Sequence, residues 1–355
     1  MNYSEYRTLT LNGKRLEGEE LLRFCAESAE THMKEIGAFL QEWLNGADTI
    51  KVHTSGSTGT PKEILVKKNQ MLSSAAMTVA YFGFERGQNA LLALPVSYIA
   101  GKMMVVRALF SGLNLVCQKP NSHPISLLTE EEVIHFAPLT PMQMQNIEDT
   151  KGIQKILLGG SGLSLRMEDR LQLLSAEIFM GYGMTETLSH IALRRVNGPR
   201  KSRVYRALKG VKIGVDDRGC LRAEVPFLEE VVQTNDVIDL QDESGFVWKG
   251  RADHVINSGG IKLFPEEIER KLAAIIPQRH FVSAVSDDML GEKLCLFIEG
   301  ETYSGEDYAR LVEEIESLVT EYENPREIYF IEKFVSTASG KIQRKSTVQK
   351  ALSQP

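Results

Sequence analysis

Thr54-Ser55-Gly56-Ser57-Thr58-Gly59-Thr60-Pro61-Lys62 follows the β-like run Ile50-Lys51-Val52-His53 and precedes Ile64-Leu65-Val66. Two short strands therefore flank a loop in which hydroxyls and glycines alternate and which closes on a lysine. That composition suits phosphate: glycines bring backbone N–H groups close to oxygens, hydroxyls donate further bonds, and Lys62 adds charge. The spacing is not that of a Walker A loop, and neither Ser nor Thr follows the lysine. Taken alone, such a loop is equally a polar surface hairpin.

Around it the chain alternates short apolar strands with helical segments, which argues for α/β layers and parallel sheets. Residues 3–12 alternate loosely and predict an edge strand closed by Asn12-Gly13. Apolar positions over 18–44 recur at helical spacing and predict one or two helices. Residues 69–83 read as a helix entered through Asn69, 90–95 as a buried strand, 97–111 as a helix and 113–117 as a strand. Strands follow at 133–136, 156–158 and 178–180, with helices at 141–148 and 164–174. The strand at 178–180 runs into a second dense motif, Gly181-Tyr182-Gly183-Met184-Thr185-Glu186-Thr187, at the kind of strand end where α/β proteins bind ligands. Residues 195–250 shift to short alternating strands with Asp, Asn and Gly turns, a β-rich subdomain. The basic run that opens it, from Arg194 to Gly210, reads as a solvated face. At Arg251-Ala252-Asp253 the pattern turns again, and Pro265-Glu266-Glu267 starts a helix. Strands at 281–285, 293–298 and 327–331, a helix at 304–319 and a polar tail complete a small domain. The expected division is 1–250 and 251–355.

At 355 residues the chain can bury the cores of two domains. A formal net charge of -6 with interspersed signs gives no support to a nucleic-acid surface. Cys25, Cys117, Cys220 and Cys295 are far apart and make no CxxC or zinc spacing, so they read as free core thiols in a reducing cytoplasm. The N-terminus has no signal-peptide pattern, and no run reaches the roughly 18 apolar residues that a membrane span needs. These features predict a cytoplasmic protein without a membrane span.

Three elements suggest one nucleotide site: the loop 54–62, the loop 181–186, and the acid of Thr234-Asn235-Asp236. Asp236 at a strand end is suited to ribose hydroxyls, and Glu186 to Mg²⁺ that phosphate oxygens and water also ligate, or else to capping the next turn. Ser339-Gly340-Lys341 near the C-terminus can carry a cation into a cleft, or can be a basic tail. The residues by themselves reach a nucleotide-dependent enzyme of two domains.

In this order the motifs resemble those of the acyl- and aryl-CoA synthetases of the adenylate-forming superfamily. Residues 54–62 resemble its TSGTTGxPK loop and Gly181 to Glu186 its YGxTE loop. Asp236 resembles the aspartate of its (T/S)GD, while Arg251, Asp253, Gly259, Gly260 and Lys262 match RxDxxxxxGGxK, and Gly340-Lys341 the terminal GK. The resemblance implies an α/β adenylate-forming fold, with a truncated large N-terminal domain of layered sheets and helices and a small mobile α+β C-terminal domain. It implies that Thr54, Ser55, Gly56, Ser57, Thr58, Gly59 and Lys62 hold ATP phosphates, that Thr185 contacts the adenylate phosphate and that Glu186 binds Mg²⁺. Tyr182 then lies against adenine, Asp236 and Arg251 hold ribose, Lys341 serves adenylation, and Asp253 is the hinge. Gly259, Gly260 and Lys262 then lie on the face that serves transfer to coenzyme A.

Leu94-Pro95-Val96-Ser97-Tyr98-Ile99-Ala100-Gly101, followed by Arg107, and Leu157-Leu158-Gly159-Gly160-Ser161 are similar to stretches of the o-succinylbenzoate:CoA ligase family of menaquinone biosynthesis. This likeness implies Tyr98, Lys102, Arg107, Gly159, Gly160 and Ser161 as acyl-substrate residues, with Arg107 or Lys102 on the carboxylate that is not activated. Beside it stand another aryl- or acyl-CoA ligase and a non-catalytic nucleotide- or acyl-binding homologue. A homodimer is left open.

Three positions depart from the patterns. Tyr98 stands at the usual histidine, Glu63 at a glycine and Asn235 at another. Glu63 is expected to point outward and Asn235 to tolerate positive φ. The phosphate loop begins only at residue 54, so most of the usual N-terminal subdomain is missing, and the segment 18–44 is expected to cover the sheet edge this leaves.

Overall fold

The computed structural model describes residues 1–53, 63–129, 131–145, 147–336 and 342–353. Strands β1 (Thr8–Leu11) and β2 (Lys14–Glu17) form a hairpin. Its turn residues Asn12 and Gly13 have φ of 48° and 81°, the two positive values that a type I′ turn demands. Helices α1 (Gly18–Ala26) and α2 (Thr31–Leu44) follow, two rather than one. Lys68, fully buried, ties down the end of α2 by donating to the carbonyls of Trp43 at 2.9 Å and Asn45 at 3.1 Å.

Strands β3 (Thr49–His53) and β4 (Glu63–Lys67), which flank the phosphate-like stretch in sequence, pair antiparallel from Thr49↔Lys67 to His53↔Glu63. Residues 54–62 themselves lie outside the described residues. Glu63 pairs with Lys51 at 2.9 Å on an exposed part of the hairpin. Next come α3 (Lys68–Phe82), β5 (Asn89–Leu92), α4 (Ile99–Ser111) and β6 (Asn114–Cys117). Helices α3 and α4 both stop at a left-handed glycine, Gly83 and Gly112. The expected cap Asn69 lies inside α3, and its side chain accepts from the Tyr3 N–H.

The first sheet runs β2-β1-β6-β5, with β1 parallel to β6. The N-terminal strand is therefore not at the edge, and it is the hairpin, not the segment 18–44, that extends the sheet beyond β6. Leu9, Leu11 and Leu16 turn inward, each burial stabilising by roughly 2 kcal/mol. The new edge strand β2 shows Lys14, Arg15 and Glu17 to solvent, which discourages pairing with another chain.

The central sheet begins with the parallel strands β7 (Ala137–Leu139), β8 (Lys155–Leu158) and β9 (Glu177–Gly183). It joins the first sheet through a parallel bridge between Ala90 and Phe136. Residues 133–136 thus make bridges rather than the expected strand. Residues 141–148 form turns among the described residues, not a helix. Thr140 and Gln143 bond each other's backbone N–H groups, and Gln143 also holds the Ala93 and Asn121 carbonyls, local bonds that compete with helix formation. Helix α5 (Leu165–Leu171) is capped by Ser164.

Six strands then form the antiparallel arm, as the β-rich reading expects: β10 (His190–Arg195), β11 (Tyr205–Ala207), β12 (Lys212–Val215), β13 (Cys220–Glu224), β14 (Val232–Asp242) and β15 (Gly245–Arg251). The order is β12-β13-β14-β15-β11-β10-β9-β8-β7.

The C-terminal part comprises β16 (Ile256–Ser258), β17 (Ile261–Leu263), α6 (Pro265–Leu272), β18 (His280–Asp287), β19 (Gly291–Glu299), α7 (Gly305–Leu318), β20 (Glu327–Ile331) and α8 (Arg344–Leu352). It packs around its own core, in which Ile268, Leu272, Leu296 and Ile315 meet. The expected polar tail contains helix α8, seated by the fully buried Thr347, whose hydroxyl bonds the Gln343 carbonyl and the Val335 N–H.

Candidate active site

The glycine motif at 181–183 is not a loop but the end of β9. A Cβ on Gly183 would lie 2.3 Å from the Ser189 carbonyl oxygen, and one on Gly181 would lie 3.1 Å from the His190 Cβ. Glycine is needed because β10 returns so closely. Between the two strands the 3₁₀ turn Thr185–Thr187 buries Thr185 and leaves Glu186 exposed. Leu188 ends the turn at φ 65°, a conformation a bulky residue adopts only under constraint. The constraint is visible: Thr187 accepts from the Met184 N–H and donates to the Ser189 carbonyl, and the Leu188 side chain is buried.

Tyr182, Asp236 and Arg251, from β9, β14 and β15, converge beside this turn. The Tyr182 hydroxyl donates to Asp236 Oδ2 at 2.6 Å, and Arg251 lies 3.8 Å from Oδ1 as the direct cross-strand partner of Asp236. Burial first, and then the Asp236 charge, push the Tyr182 phenol far above its ordinary value, so it stays a neutral donor. Its ring is fixed edge-on by Phe246 and Tyr205. Arg251 also donates to Asp253 at 3.1 Å and, against the penalty of burial, holds that carboxyl below the usual range. Asn235 is not among the residues at positive φ; it is a strand residue whose side chain accepts from Arg218 at 2.9 Å.

The expected acyl residues separate into three places. Gly159, Gly160 and Ser161 form the turn after β8, with Gly160 at φ 95°. Tyr98, half-exposed, precedes α4. Lys102 faces the N-terminal helices, lying 3.6 Å from Glu42 and over the Phe39 ring. Arg107, five residues on and 2 % exposed, points to the other side and donates to Ser189 Oγ at 2.5 Å, directly behind the Thr185–Thr187 turn. Burial pulls its guanidinium down to about 10, so it remains charged at neutral pH. No carboxylate pairs with it among the described residues, and its Nε has no partner.

Gly259 and Gly260, at φ 58° and 84°, make the turn between β16 and β17, and Lys262 is exposed on β17. Lys341, like residues 54–62, lies outside the described residues.

A cleft of about 390 Å³ separates the antiparallel arm from α6, and the sequence reading missed its charged lining. Glu168 of α5 is 1 % exposed and accepts from Arg194 at 2.6 Å and from Arg270 of α6 at 3.1 Å. Arg194, read as solvated, is 8 % exposed and lies over the Tyr205 ring. Arg203 and Lys249 reach Glu267, while Arg344 grips Glu269 with two bonds of 2.6 and 2.8 Å. The only prior signal was the arginine-rich run itself, whose partners are remote in sequence.

A structural metal cage finds no support: no group of three or more His, Cys, Asp or Glu gathers among the described residues. The exposed Glu186 carboxylate suits Mg²⁺ of the kind that takes one or two protein carboxylates and completes its shell with phosphate and water. Burial pushes the Cys25 thiol up to about 11 and those of Cys117 and Cys295 up to about 12, as fits inert core thiols. Among the described residues no helix is long and apolar enough to cross a membrane.

The description "AMP-binding enzyme" belongs to the family that matches residues 16–224. The 2-succinylbenzoate–CoA ligase of Listeria monocytogenes is 27% identical over 350 residues, covering 90% of this chain and 73% of the relative. That of Salmonella typhimurium is 25% identical over 328 residues, 87% of this chain and 70% of the relative. Among solved structures, an acyl-CoA synthetase (AMP-forming)/AMP-acid ligase II-like protein from Dyadobacter fermentans is 36% identical, with a TM-score of 0.61, covering 94% of this chain and 98% of its own. The o-succinylbenzoate CoA synthetase of Bacillus subtilis, in complex with the acyl-adenylate intermediate, is 18% identical with a TM-score of 0.74, covering 89% and 74%.

Proposed function

We propose that this chain, which belongs to the AMP-binding enzyme family, is an acid–thiol ligase that joins 2-succinylbenzoate to AMP and then to coenzyme A. Its fold is the α/β adenylate-forming fold, a large body of sheets and helices with a smaller C-terminal α+β unit. The observation that carries the reading is the convergence of Tyr182, Asp236 and Arg251 beside the Thr185–Glu186 turn, which offers ribose acceptors and donors next to an exposed carboxylate. The named relatives supply the acid.

In the first half-reaction a substrate carboxylate oxygen attacks the α-phosphorus of ATP and pyrophosphate leaves. In the second, the thiolate of coenzyme A attacks the acyl carbon and AMP leaves. Neither step needs a protein nucleophile. Asp236, oriented by the Tyr182 hydroxyl, accepts from ribose, and Arg251 holds the same carboxylate. Thr185 faces the adenylate phosphate. Glu186 would hold Mg²⁺, which when bound would supply positive charge against the phosphate oxygens. Thr54, Ser55, Gly56, Ser57, Thr58, Gly59 and Lys62 cradle the β- and γ-phosphates, and Lys341 brings a positive charge to the developing pentavalent phosphorus. Residues 1–250 form the adenylate-binding body and 251–355 a lid that turns about Asp253, exchanging Lys341 for the Gly259, Gly260 and Lys262 face. Arg107 pairs with the carboxylate that is not activated, since a buried cation with no carboxylate against it among the described residues needs an anion.

Acid-dependent ATP–pyrophosphate exchange tests the reading, with 2-succinylbenzoate beside benzoate, a medium-chain fatty acid and amino acids, followed by thioester detection with coenzyme A. Exchange and thioester with 2-succinylbenzoate alone are expected. Activity only with a different acid would keep the ligase and discard the substrate, and silence with all would favour a binding homologue. Lys341→Ala should slow adenylation by about 100-fold or more while sparing transfer from supplied acyl-adenylate. Equal losses in both half-reactions would contradict the exchange of faces.

A further inference from the structure

Beneath the Thr185–Thr187 turn, four polar side chains form one line. Arg107 of α4 reaches Ser189 Oγ at 2.5 Å, and Ser189 Oγ lies 3.2 Å from His190 Nδ1. His190 Nε2 lies 3.3 Å from Thr78 Oγ1 on α3, and the Thr78 hydroxyl lies 3.2 Å from the Ser74 carbonyl. We propose that Ser189, His190 and Thr78 are positioning residues that fix the Arg107 guanidinium, and so make the enzyme select an acid carrying a second carboxylate over its one-carboxylate analogue. The inference rests on the reading above, in which Arg107 meets the carboxylate that is not activated, and adds the residues that set its orientation.

The direction of each bond follows from what each group can do. Guanidinium only donates, so Ser189 Oγ accepts from Arg107 and has its own hydrogen left for His190 Nδ1. At the far end Thr78 gives its hydrogen to the Ser74 carbonyl, so it accepts from His190 Nε2. The imidazole is thereby neutral, with its proton on Nε2. Burial, and then the neighbouring Arg107 charge, push His190 well below its ordinary range, in agreement with that state. Every hydrogen in the line is used once, and the line fixes one end of the guanidinium while neutralising nothing.

A charge-bearing group 2 % exposed is held in one orientation with Nε unpartnered and no carboxylate against it among the described residues. The side chain is thus prepared for an anion that the described residues do not supply. The placement fits the reaction, because Gly181 and Gly183 let β9, which carries Tyr182, lie directly against Ser189 and His190. A substrate with one carboxylate commits it to AMP and leaves Arg107 unpaired. A dicarboxylate serves both positions. The difference for a buried charge partner corresponds to about 30-fold or more in kcat/KM.

The test compares 2-succinylbenzoate with 4-oxo-4-phenylbutanoate, which keeps the ketone and chain carboxylate but lacks the ring carboxylate, by pyrophosphate exchange on the full chain. Wild type is expected to prefer the dicarboxylate by about 30-fold or more. Ser189→Ala and His190→Leu should raise the KM for the dicarboxylate by about tenfold, leave the KM for ATP unchanged, and leave kcat/KM for the monoacid unchanged. His190→Gln offers an acceptor and a donor in place of Nδ1 and Nε2, so it should restore most of the preference. Equal losses on both acids, or glutamine behaving as leucine, would overturn the positioning role. Ser189→Ala removes one oxygen and guards against a variant that does not fold. In wild type, imidazole nitrogen shifts should show His190 protonated on Nε2, and an Nδ1 proton or an imidazolium would sink the proposal. Should wild type treat both acids alike, the dicarboxylate reading itself fails; should wild type discriminate while the variants do not alter the ratio, only the positioning role fails.

Discussion

Arg107 and Arg194 are almost equally hidden, at 2 % and 8 % exposure, but their surroundings are opposite. Arg194 donates to Glu168, which also takes Arg270, and in the same cleft Arg344 grips Glu269 with two bonds. Arg107 has a serine hydroxyl and, beyond it, a neutral imidazole. A low-dielectric interior makes a charge expensive unless it is paired, so the cleft around Glu168 has the form of a structural joint and the line behind the Thr185 turn that of a receptor. Unfolding experiments can separate the two, because removing the partner of a paired buried charge is costly, whereas removing a buried charge that lacks a counter-ion costs little or nothing.

The largest effect is expected at Glu168. Changing Glu168→Ala leaves Arg194 buried without its anion, a loss of about 3–5 kcal/mol of unfolding free energy by urea titration. A loss below about 1 kcal/mol would mean that water already solvates the cluster, and the contrast with Arg107 would collapse.

The middle effect is a pH dependence at His190. In the unfolded chain its imidazole takes a proton near pH 6.5, whereas in the folded chain burial and Arg107 keep it neutral. A depressed folded pKa contributes stability that is present above pH 6.5 and lost as pH falls. Wild type should therefore lose up to about 1.4 kcal/mol per pH unit below 6.5 relative to His190→Gln, which does not titrate. Parallel pH profiles for the two proteins would show that His190 takes a proton in the fold as readily as in the unfolded chain, and the imidazolium Nδ1 would then donate to Ser189 Oγ instead of accepting from it.

How far these regions could be read from sequence follows the range of their contacts. The strands around residues 54–62 and the β-rich arm were legible, because local alternation and turn residues leave marks within a few residues. Tyr182, Asp236 and Arg251 were legible only through motifs, and the structure adds that the tyrosine hydroxyl bonds the aspartate. Arg270 and Glu168 stand 102 residues apart, so nothing in the run around Arg194 could reveal that it faces a cleft instead of solvent. Lys102 and Arg107 were indistinguishable as cations among apolar neighbours. Five positions on a helix turn them to different sides, and only packing shows which one meets Glu42. The edge of the first sheet differs from the expectation for a similar reason: β1 is visible as a strand, but not its place beside β6.

The smallest effect on stability is expected at Arg107 itself. Arg107→Met keeps much of the volume, removes an unpaired buried cation, and leaves Ser189 able to keep its bond to His190. The hydrogen bond lost to Ser189 and the desolvation cost removed with the charge nearly cancel, so unfolding free energy should stay within about 1 kcal/mol of wild type or rise. A loss as large as that from Glu168→Ala would show that Arg107 has an anionic partner within the protein. In that event the charge would already be satisfied, and nothing in the fold would reserve it for a substrate carboxylate.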